Sequence, residues 1–456
     1  MSIIIPANSA VGSGGFEVAN SVRFDDGSSS NFSDGSAPAG NRQKFTWSAW
    51  FKRSSVGATQ ILASSSYSGG DEGYLFLSGG GVLGWQSTNS GDGNLGTNML
   101  WRDLSAWYHV VFSVDTTQST ATNRIKLYVN GSQYTWDNNT TQPNVNQSLY
   151  FNVGGSYNTY IGRRAGGDYF DGYMSEIVFI DNAQLAADSF GEFDSDSGVW
   201  KPLESVANLT FGTSGYYLNF QNSSALGTDV SGVGNTFTAN NLAAIDQTTD
   251  TCTNNFCTMN PLDSYNSPTP SDGNTIINAG GSDKSLRSTI GISSGKWYWE
   301  VNTTANNSAY MGIVNASYRL NTGYELSVAS TNSVIWEGNG GILLKNGSTV
   351  TSSYSGGTST FGFAFDLDAG TLKLSQNGTF FNSGNAVVIG ITADTYLPVF
   401  GPNGGGSPTE FKANFGNPAY AISSGNTDGN NRGNFEYAVP SGYLSLCTLN
   451  LSEALS

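Results

Sequence analysis

The sequence predicts an all-β protein made of two antiparallel β-sandwich domains in tandem, with little helix. Its 456 residues exceed what one hydrophobic core usually fills, so two domains are expected. The chain holds 58 glycines and 12% aromatic residues, while only 12% of its residues are charged. This composition favours short strands and turns over helices. A disordered chain is excluded because 25 Phe, 22 Tyr and 10 Trp require a buried core.

Pattern changes along the chain predict five segments. They are an extended arm (1–20), a first sandwich (21–200), a connecting β segment (201–262), a second sandwich (263–425) and a C-terminal tail (426–456). In the arm, the apolar residues Ile3 to Ile5 are expected to add a short strand to a neighbour. The sequence has no heptad pattern and no short repeat, which indicates globular modules rather than a fibre shaft.

Alternating side chains mark the strands. In the segment 45–52, Phe45, Trp47, Ala49 and Phe51 point to one face while Thr46, Ser48, Trp50 and Lys52 point to the other. This alternation predicts a half-buried strand. Other strands are predicted over 73–78, 107–115, 124–130, 172–180, 216–220, 296–301, 361–366 and 371–375. Turn signals follow two of them at Asn130-Gly131 and Asn377-Gly378, and a short helix is expected to run toward Phe190.

Charge and cysteine content narrow the classes of partner. A formal net charge of −16 repels phosphate backbones, and the few Lys and Arg form no basic stripe, so no nucleic-acid partner is expected. The start MSIIIPANSA lacks the features of a signal peptide or membrane anchor, and no later apolar run is long enough to span a bilayer. The three cysteines are expected to be buried thiols, with a Cys252–Cys257 disulfide as the alternative.

The residues argue against an enzyme. A glycosidase needs a pair of carboxylates flanking the bond, and the nearest candidate row is Glu192, Asp194 and Asp196 in a Ser/Gly-rich loop. The single histidine, His109, lies inside a predicted strand, where a structural role is expected. No Gly-rich stretch has a phosphate-binding context, so no catalytic residue and no organic cofactor are predicted.

The first sandwich resembles laminin-G-like/concanavalin-like jelly rolls. The residues that carry this resemblance are Phe45-Thr-Trp-Ser-Ala-Trp-Phe51, Trp107-Tyr-His-Val-Val111, Lys126-Leu-Tyr-Val-Asn-Gly131, Ile161-Gly162 and Phe170-Asp-Gly-Tyr-Met-Ser-Glu-Ile177. Such jelly rolls often bind Ca²⁺ through loop oxygens, so a bound calcium ion is one open interpretation of several loop acids. The acids concerned are Asp25, Asp26, Asp34, Asp71 and Glu72. The other interpretation is that they are ordinary solvated carboxylates, with no metal ligand among them.

The second sandwich resembles a SPRY domain. This resemblance depends on Gly295-Lys-Trp-Tyr-Trp-Glu-Val301, Phe361-Gly-Phe-Ala-Phe-Asp366, Gly370-Thr-Leu-Lys-Leu-Ser375, Asn377-Gly378 and Tyr396-Leu-Pro-Val399. Both resemblances imply antiparallel sandwiches used for recognition. The tandem arrangement is also similar to virion proteins of tailed phages of marine bacteria, in which such chains are tail or head fibres.

Two classes of function follow from these resemblances. In the first, the chain is a bacteriophage attachment protein that recognises a bacterial surface glycan or protein; in the second, it is an architectural virion protein that binds neighbouring capsid or tail subunits. A carbohydrate-active enzyme is a weaker third hypothesis. A homo-oligomer such as a trimer is expected, located in the virion after synthesis in the host cytoplasm. The predicted ligand-binding aromatics lie in loop-rich sequence of the second sandwich: Tyr318, Tyr324, Trp336 and Tyr354.

Overall fold

The computed structural model describes residues 15–35, 37–67, 70–137, 140–278, 284–303, 309–320, 332–338, 341–352, 358–402 and 410–453. Two compact units are present, an N-terminal unit of residues Gly12–Asn254 and a C-terminal unit that comprises Asn255–Ser456. Within the described residues the units are almost entirely β, with one α-helix, α1 (Thr448–Glu453), and a few 3₁₀ turns. The predicted all-β fold class is confirmed.

The described residues of the N-terminal unit form seventeen strands. They are β1 (Ser21–Phe24), β2 (Asn31–Asp34), β3 (Lys44–Arg53), β4 (Gln60–Ser66), β5 (Glu72–Leu77), β6 (Val82–Ser87), β7 (Asn94–Leu100), β8 (Tyr108–Asp115), β9 (Ile125–Val129), β10 (Ser132–Tyr134), β11 (Asn158–Ile161), β12 (Gly172–Asp181), β13 (Gly191–Phe193), β14 (Trp200–Pro202), β15 (Tyr216–Leu218), β16 (Thr238–Asn240) and β17 (Gln247–Thr248). The helix predicted toward Phe190 is one 3₁₀ turn, Ala187–Ser189.

These strands form two antiparallel sheets and a hairpin. One sheet has eight strands in the order β10-β9-β8-β3-β12-β1-β17, with β15 also paired to β12, and the other has seven in the order β16-β2-β11-β4-β5-β6-β7. The inner faces share one core, in which Trp85 of β6 lies 5.3 Å from Phe112 of β8 between ring centroids. Strands β13 and β14 form a separate hairpin. The unit is therefore a β-sandwich.

Strand β3 is buried on both faces rather than half-buried. Nine of its ten residues are buried, including Thr46, Ser48, Trp50 and Lys52 on the side that was expected to face solvent. Residues 183–211 cover part of this side by packing Phe190, Val206 and Phe211 onto the outer face of the eight-stranded sheet, and Asp250 contacts Lys52. Sequence alternation identifies the two faces of a strand but not the distant segment that covers one of them. The half-buried prediction was wrong for this reason.

In the parts of the C-terminal unit that the structure describes, there are fifteen strands and helix α1. The strands are β18 (Met259–Tyr265), β19 (Pro270–Ser271), β20 (Ile276–Asn278), β21 (Ser285–Ser288), β22 (Lys296–Thr303), β23 (Ala309–Asn315), β24 (Ser333–Glu337), β25 (Ile342–Lys345), β26 (Ser348–Thr351), β27 (Ser359–Asp366), β28 (Thr371–Gln376), β29 (Thr379–Phe380), β30 (Tyr396–Pro402), β31 (Glu410–Asn414) and β32 (Leu444–Ser445). A seven-stranded sheet runs β18-β21-β30-β23-β24-β25-β26. An eight-stranded sheet runs β19-β20-β31-β22-β27-β28-β29, and β32 pairs parallel to β22.

The predicted connecting segment (201–262) and the predicted C-terminal tail (426–456) both contribute to the sandwiches themselves. In the connecting segment 201–262, β15, β16 and β17 pair with β12, β2 and β1 of the N-terminal unit. In the predicted tail, Leu446 and Leu451 are fully buried in the core of the C-terminal unit. The end of the predicted arm also packs, because Val18 is buried and its amide donates to Thr253 Oγ1. Ile3 to Ile5 lie outside the described residues.

The predicted turns are present. Asn130 and Gly131 between β9 and β10 both have positive φ, 44° and 83°, and Asn377 and Gly378 have 47° and 77°. Positive φ at both central residues is the geometry that a type I′ hairpin turn requires, and Asn-Gly supplies it at low cost. These dipeptides fix the register of the hairpins β9–β10 and β28–β29.

Candidate functional site

The two outer faces of the N-terminal sandwich differ in how far they are covered. The outer face of the eight-stranded sheet is covered: Val111, Val178 and Ile180 are buried beneath residues 183–211, and polar side chains between them, such as Ser48 and Lys52, are buried as well. The outer face of the seven-stranded sheet is polar, and its side chains are exposed or partly exposed toward β6 and β7. We call this second surface the polar face. Of the two sheet faces, it is the one that remains accessible to a ligand.

A row of polar and tyrosine side chains crosses the polar face. Cross-strand pairing aligns Thr238, Ser33, Tyr160, Ser64, Tyr74, Gln86 and Asn94, one residue from each of the seven strands. These residues alternate with core residues such as Leu75 and Trp85, so they point away from the core. Ser64 in the middle of the row is fully buried and donates a hydrogen bond to the Arg163 carbonyl oxygen, so the exposed members lie toward the two ends of the row. Hydroxyl and amide side chains set around aromatic rings are the usual chemistry of carbohydrate recognition.

Arginines hold two of the aromatic rings of the polar face in place. The Arg164 guanidinium lies 5.1 Å from the centroid of the Tyr74 ring, and Arg163 lies 4.8 Å from that of Tyr160. Arg164 also forms ion pairs with Glu72 and with Asp168, the latter at 2.7 Å. The two carboxylates offset the charge of Arg164, while the cation–π contacts fix the ring orientation.

An open groove of about 450 Å³ extends the polar face past β5 to the edge strand β7. The partly exposed ring of Phe76 and the side chain of Val82 form its apolar wall, and Asn94, Asn98 and Asp137 supply polar groups. Phe76 lies over Gly84 on β6, where an added Cβ would come within 2.8 Å of the Phe76 ring and 2.6 Å of the Leu95 carbonyl oxygen. Only glycine at position 84 lets the ring lie there.

The edge of β7 presents backbone groups to this groove. Asn94 exchanges two backbone hydrogen bonds of 2.8 Å with Thr141, and the Asn98 amide donates to Tyr134 Oη at 3.0 Å. Gly96 lies between these two points, and alternation along an antiparallel strand directs its N–H and C=O the same way. The groove therefore combines an aromatic ring, amide side chains, a carboxylate and backbone groups within one site.

A second cavity in the same unit is too small for such a ligand. It lies between the sheets, is lined by Asp34, Ser214 and Tyr216 among others, and has a volume of about 10 Å³. A cavity of that size holds about one water molecule. The groove along β7 is therefore the better candidate site in the N-terminal unit.

The aromatic residues predicted as ligand-binding lie elsewhere. Trp336 on β24 is 0% exposed, and its ring packs in the core 5.3 Å from that of Phe361, so its prediction as a surface residue was wrong. Tyr318 is partly buried against a cluster that includes Tyr310, and its carbonyl accepts a hydrogen bond from Arg287 Nη1 at 3.0 Å. Tyr324 and Tyr354 lie outside the described residues. The structure thus does not bring the four together.

His109 is buried between aromatic rings, and its imidazole ring forms two hydrogen bonds. Trp200 Nε1 donates to its Nδ1 at 3.0 Å, so the ring proton lies on Nε2, which donates to Ser48 Oγ at 2.9 Å. Its ring stacks on Trp50 with centroids 4.8 Å apart. Burial lowers the pKa of His109 to about 3. A general base needs a free lone pair facing the hydroxyl, so His109 in this tautomer does not activate Ser48.

Among the residues that the structure describes, one group of three carboxylates comes near to the arrangement of a metal-ligand set. Asp25, Asp26 and Asp171 place oxygen atoms within 4.8 Å of one another. Burial raises the pKa of Asp171 to about 7, and burial and the neighbouring Asp25 raise that of Asp26. Three carboxylates alone fall short of the roughly six to eight oxygens that Ca²⁺ takes. The cluster therefore does not by itself make a calcium site.

The other predicted acids have separate roles. Asp71 accepts a hydrogen bond from Tyr157 Oη at 3.3 Å, Glu72 pairs with Arg164, and Asp34 lines the small cavity. In the loop row, Asp194 and Glu192 both pair with Lys201, at 3.3 and 3.2 Å. All three cysteines are free thiols, so the alternative Cys252–Cys257 disulfide is absent.

The comparisons with known proteins support the interpretation of the N-terminal unit. Residues 25–188 match the Laminin_G_3 model, which describes the concanavalin A-like lectin/glucanases superfamily. The segment holds the polar face from β2 to β11, and the resemblance expected from its motifs is confirmed. A search of curated proteins gives no match to the chain. Within the part of the chain that the structure describes, no helix has the length and apolar character needed to cross a membrane.

Solved structures similar to part of the chain include SPRY domains. The SPRY domain of human HERC1 is 15% identical with a TM-score of 0.29, covering 34% of this chain and 96% of that one. The PSpry domain of TRIM65 is 13% identical with a TM-score of 0.28, covering 35% and 88%. Stonustoxin is 19% identical with a TM-score of 0.27, covering 35% and 27%. At TM-scores this low we draw no conclusion from the likeness, and the SPRY resemblance stays a prediction.

Proposed function

We propose that the N-terminal unit is a glycan-recognition module and that the polar face with its groove is the binding surface. The observation that carries this proposal is the exposed β6–β7 end of the row, Gln86 and Asn94, which lies beside the groove that Asn94 and Phe76 line. Sugars offer hydroxyl groups to such amides and an apolar C–H face to an aromatic ring. The match to a lectin/glucanase superfamily supports the same class of ligand.

The chain as a whole is proposed to act in a bacteriophage virion, as a tail fibre, head fibre or decoration component that attaches the particle to a bacterial surface glycan or protein. This part of the proposal comes from the resemblance to tailed-phage proteins. We also propose that the chain has no catalysis of its own, that it associates with other virion proteins and that it forms a homo-oligomer. The competing function is a purely architectural capsid or tail subunit.

Replacing Phe76 by alanine is expected to weaken glycan binding about tenfold, because the ring that stacks on the sugar is lost. Asn98→Ala is expected to weaken it by a smaller factor through loss of one hydrogen-bonding group. Affinity of the full chain for host-cell surface polysaccharide, measured by isothermal titration calorimetry, checks both. Each variant's melting temperature shows whether the sandwich is intact.

The matched control is Phe193→Ala, which removes an aromatic ring that is 53% exposed on the hairpin strand β13, away from the polar face. Binding by this variant should equal that of the unmodified chain. Purified protein should also block adsorption of the phage to host cells. Unchanged affinity in a folded Phe76→Ala protein would reject the polar face as the binding surface, and no binding to any host polysaccharide would favour the architectural function.

A further inference from the structure

Lys52 and Asp250 form an ion pair buried inside the N-terminal unit. Their side chains are 1% and 0% exposed, and Lys52 Nζ contacts Asp250 Oδ2 directly. The two residues are 198 positions apart in the chain. The Lys52 ammonium lies 4.6 Å from the ring centroid of Tyr173 and 5.7 Å from that of Trp107. The ion pair therefore links two segments that are distant in sequence, and aromatic rings surround it.

Both partners are held in fixed positions. Lys52 lies on β3, where it pairs across the ladder with Tyr173 of β12. The Asp250 amide donates to Thr248 Oγ1 at 2.8 Å, and Asp250 Oδ1 accepts a hydrogen bond from Trp107 Nε1 at 3.1 Å. Holding the two groups side by side removes much of the entropy cost of bringing them together for a reaction.

We propose that Lys52 and Asp250 are joined by an isopeptide bond. The reaction begins with transfer of a proton from Nζ to Oδ2, which converts the buried ion pair into a neutral amine beside a neutral acid. A desolvated neutral lysine amine is a nucleophile.

The reaction forms one C–N bond and releases one water molecule, and it needs no other reactant. The Nζ lone pair attacks Cγ of Asp250, and the negative charge that develops on Oδ1 is stabilised by the Trp107 indole N–H. The tetrahedral intermediate loses Oδ2, which departs as one water molecule carrying the first proton and a second proton from Nζ. The product is a secondary amide. The aromatic rings of Tyr173 and Trp107 exclude water from the site and so oppose hydrolysis back to the acid.

This cross-link would supply a covalent tie in a unit that has no disulfide bond. Its free cysteine Cys252 follows Asp250 closely, so the segment around these residues has no covalent tie to the sheet other than the chain itself. An isopeptide bond to β3 anchors that segment to the middle of the eight-stranded sheet. It would slow unfolding because the two ends of a long loop stay together in the unfolded state.

Intact mass of the purified full-length chain under denaturing conditions tests the proposal. The expected mass is lower than the sequence mass by one water, and proteolysis should release a branched peptide that joins the Lys52 and Asp250 segments. Lys52→Arg should restore the full sequence mass, because a guanidinium does not form the amide. Asp250→Asn should release ammonia instead of water and give the same cross-linked mass.

Lys201→Arg is the matched control, because Lys201 forms its ion pair with Glu192 at the surface. This variant should keep the mass deficit of one water. A wild-type chain at its full sequence mass would overturn the proposal. A deficit that persists in Lys52→Arg would overturn it as well, since it would come from succinimide at an Asp-Gly step. If Lys52→Arg is not recovered, the presence or absence of the branched peptide in the wild type decides.

Discussion

Replacing Glu300 by alanine is expected to lower the free energy of unfolding of the C-terminal unit by about 3–5 kcal/mol. Glu300 on β22 is 0% exposed and accepts four hydrogen bonds. The donors are the Glu436 amide (2.9 Å), the Tyr437 amide (2.8 Å), Tyr298 Oη (3.0 Å) and Asn414 Nδ2 (3.2 Å). Alanine leaves these donors without their acceptor in a site with no room for bulk water, and each unpaired buried group costs about 1–3 kcal/mol.

Scanning calorimetry of the full chain measures the loss, and hydrogen exchange localises it. The amides of Glu436 and Tyr437 should lose protection first, because Glu300 ties that segment to the sheet. Glu300→Gln should cost less, since the amide keeps one oxygen acceptor. Glu410→Ala is the control on β31 of the same sheet: its side chain is 29% exposed in an ion pair with Lys412, and its loss should change stability by less than about 0.5 kcal/mol. Equal midpoints for Glu300→Ala and Glu410→Ala would contradict the role of Glu300.

The hydrogen bonds of Glu300 show which features of the fold cannot be predicted from local sequence patterns. The strand around Lys296 to Val301 is predicted from local alternation and observed as β22. Its hydrogen-bond partners lie 136 and 137 positions further along, in a segment that looked like a tail. Local periodicity reports the conformation of a strand, whereas burial of a charged side chain depends on segments far away in sequence.

The same dependence on distant segments explains why the candidate site could be predicted only in part. The alternation around β5 already directs Tyr74 and Phe76 away from Leu75 and Leu77, so their shared face was predictable. It was not predictable whether that face is covered. Only the folded chain shows that residues 183–211 cover the other sheet and leave this one open. Trp336 gives the opposite case: its neighbouring sequence is loop-rich, yet β24 places its ring in the core.

Acidification is expected to destabilise the N-terminal unit through His109 as the pH falls from about 6.5 toward 3. Burial depresses the pKa of this imidazole in the folded state to about 3, while the unfolded chain takes up the proton near its ordinary value of 6.5. Between those values the unfolded state binds more protons, so the free energy of unfolding falls by at most about 1.4 kcal/mol per pH unit. Above pH 6.5 the contribution is complete and constant.

Two buried carboxyl groups, Asp171 just before β12 and Glu176 on β12, affect the stability in the opposite direction. Burial raises the pKa of Asp171 and of Glu176 to about 7, so each binds a proton in the folded state before the unfolded chain does. Their contribution to stability is complete at low pH and is lost as the pH rises through 7. The profile of the unmodified chain is therefore the sum of opposing effects, and a variant is needed to isolate the histidine.

His109→Gln isolates it because this residue is the single histidine of the chain. The unfolding free energy of the unmodified chain minus that of the variant should be flat above pH 6.5 and should fall by as much as about 4 kcal/mol on acidification toward pH 3. Urea titrations at a series of pH values give this difference. The imidazole C–H resonance, which needs no assignment in a protein with one histidine, should not shift until the pH approaches 3. Parallel stability profiles for the two proteins, or a resonance that titrates near 6.5, would show that the ring is accessible to water and that the hydrogen bonds from Trp200 and to Ser48 do not hold it closed.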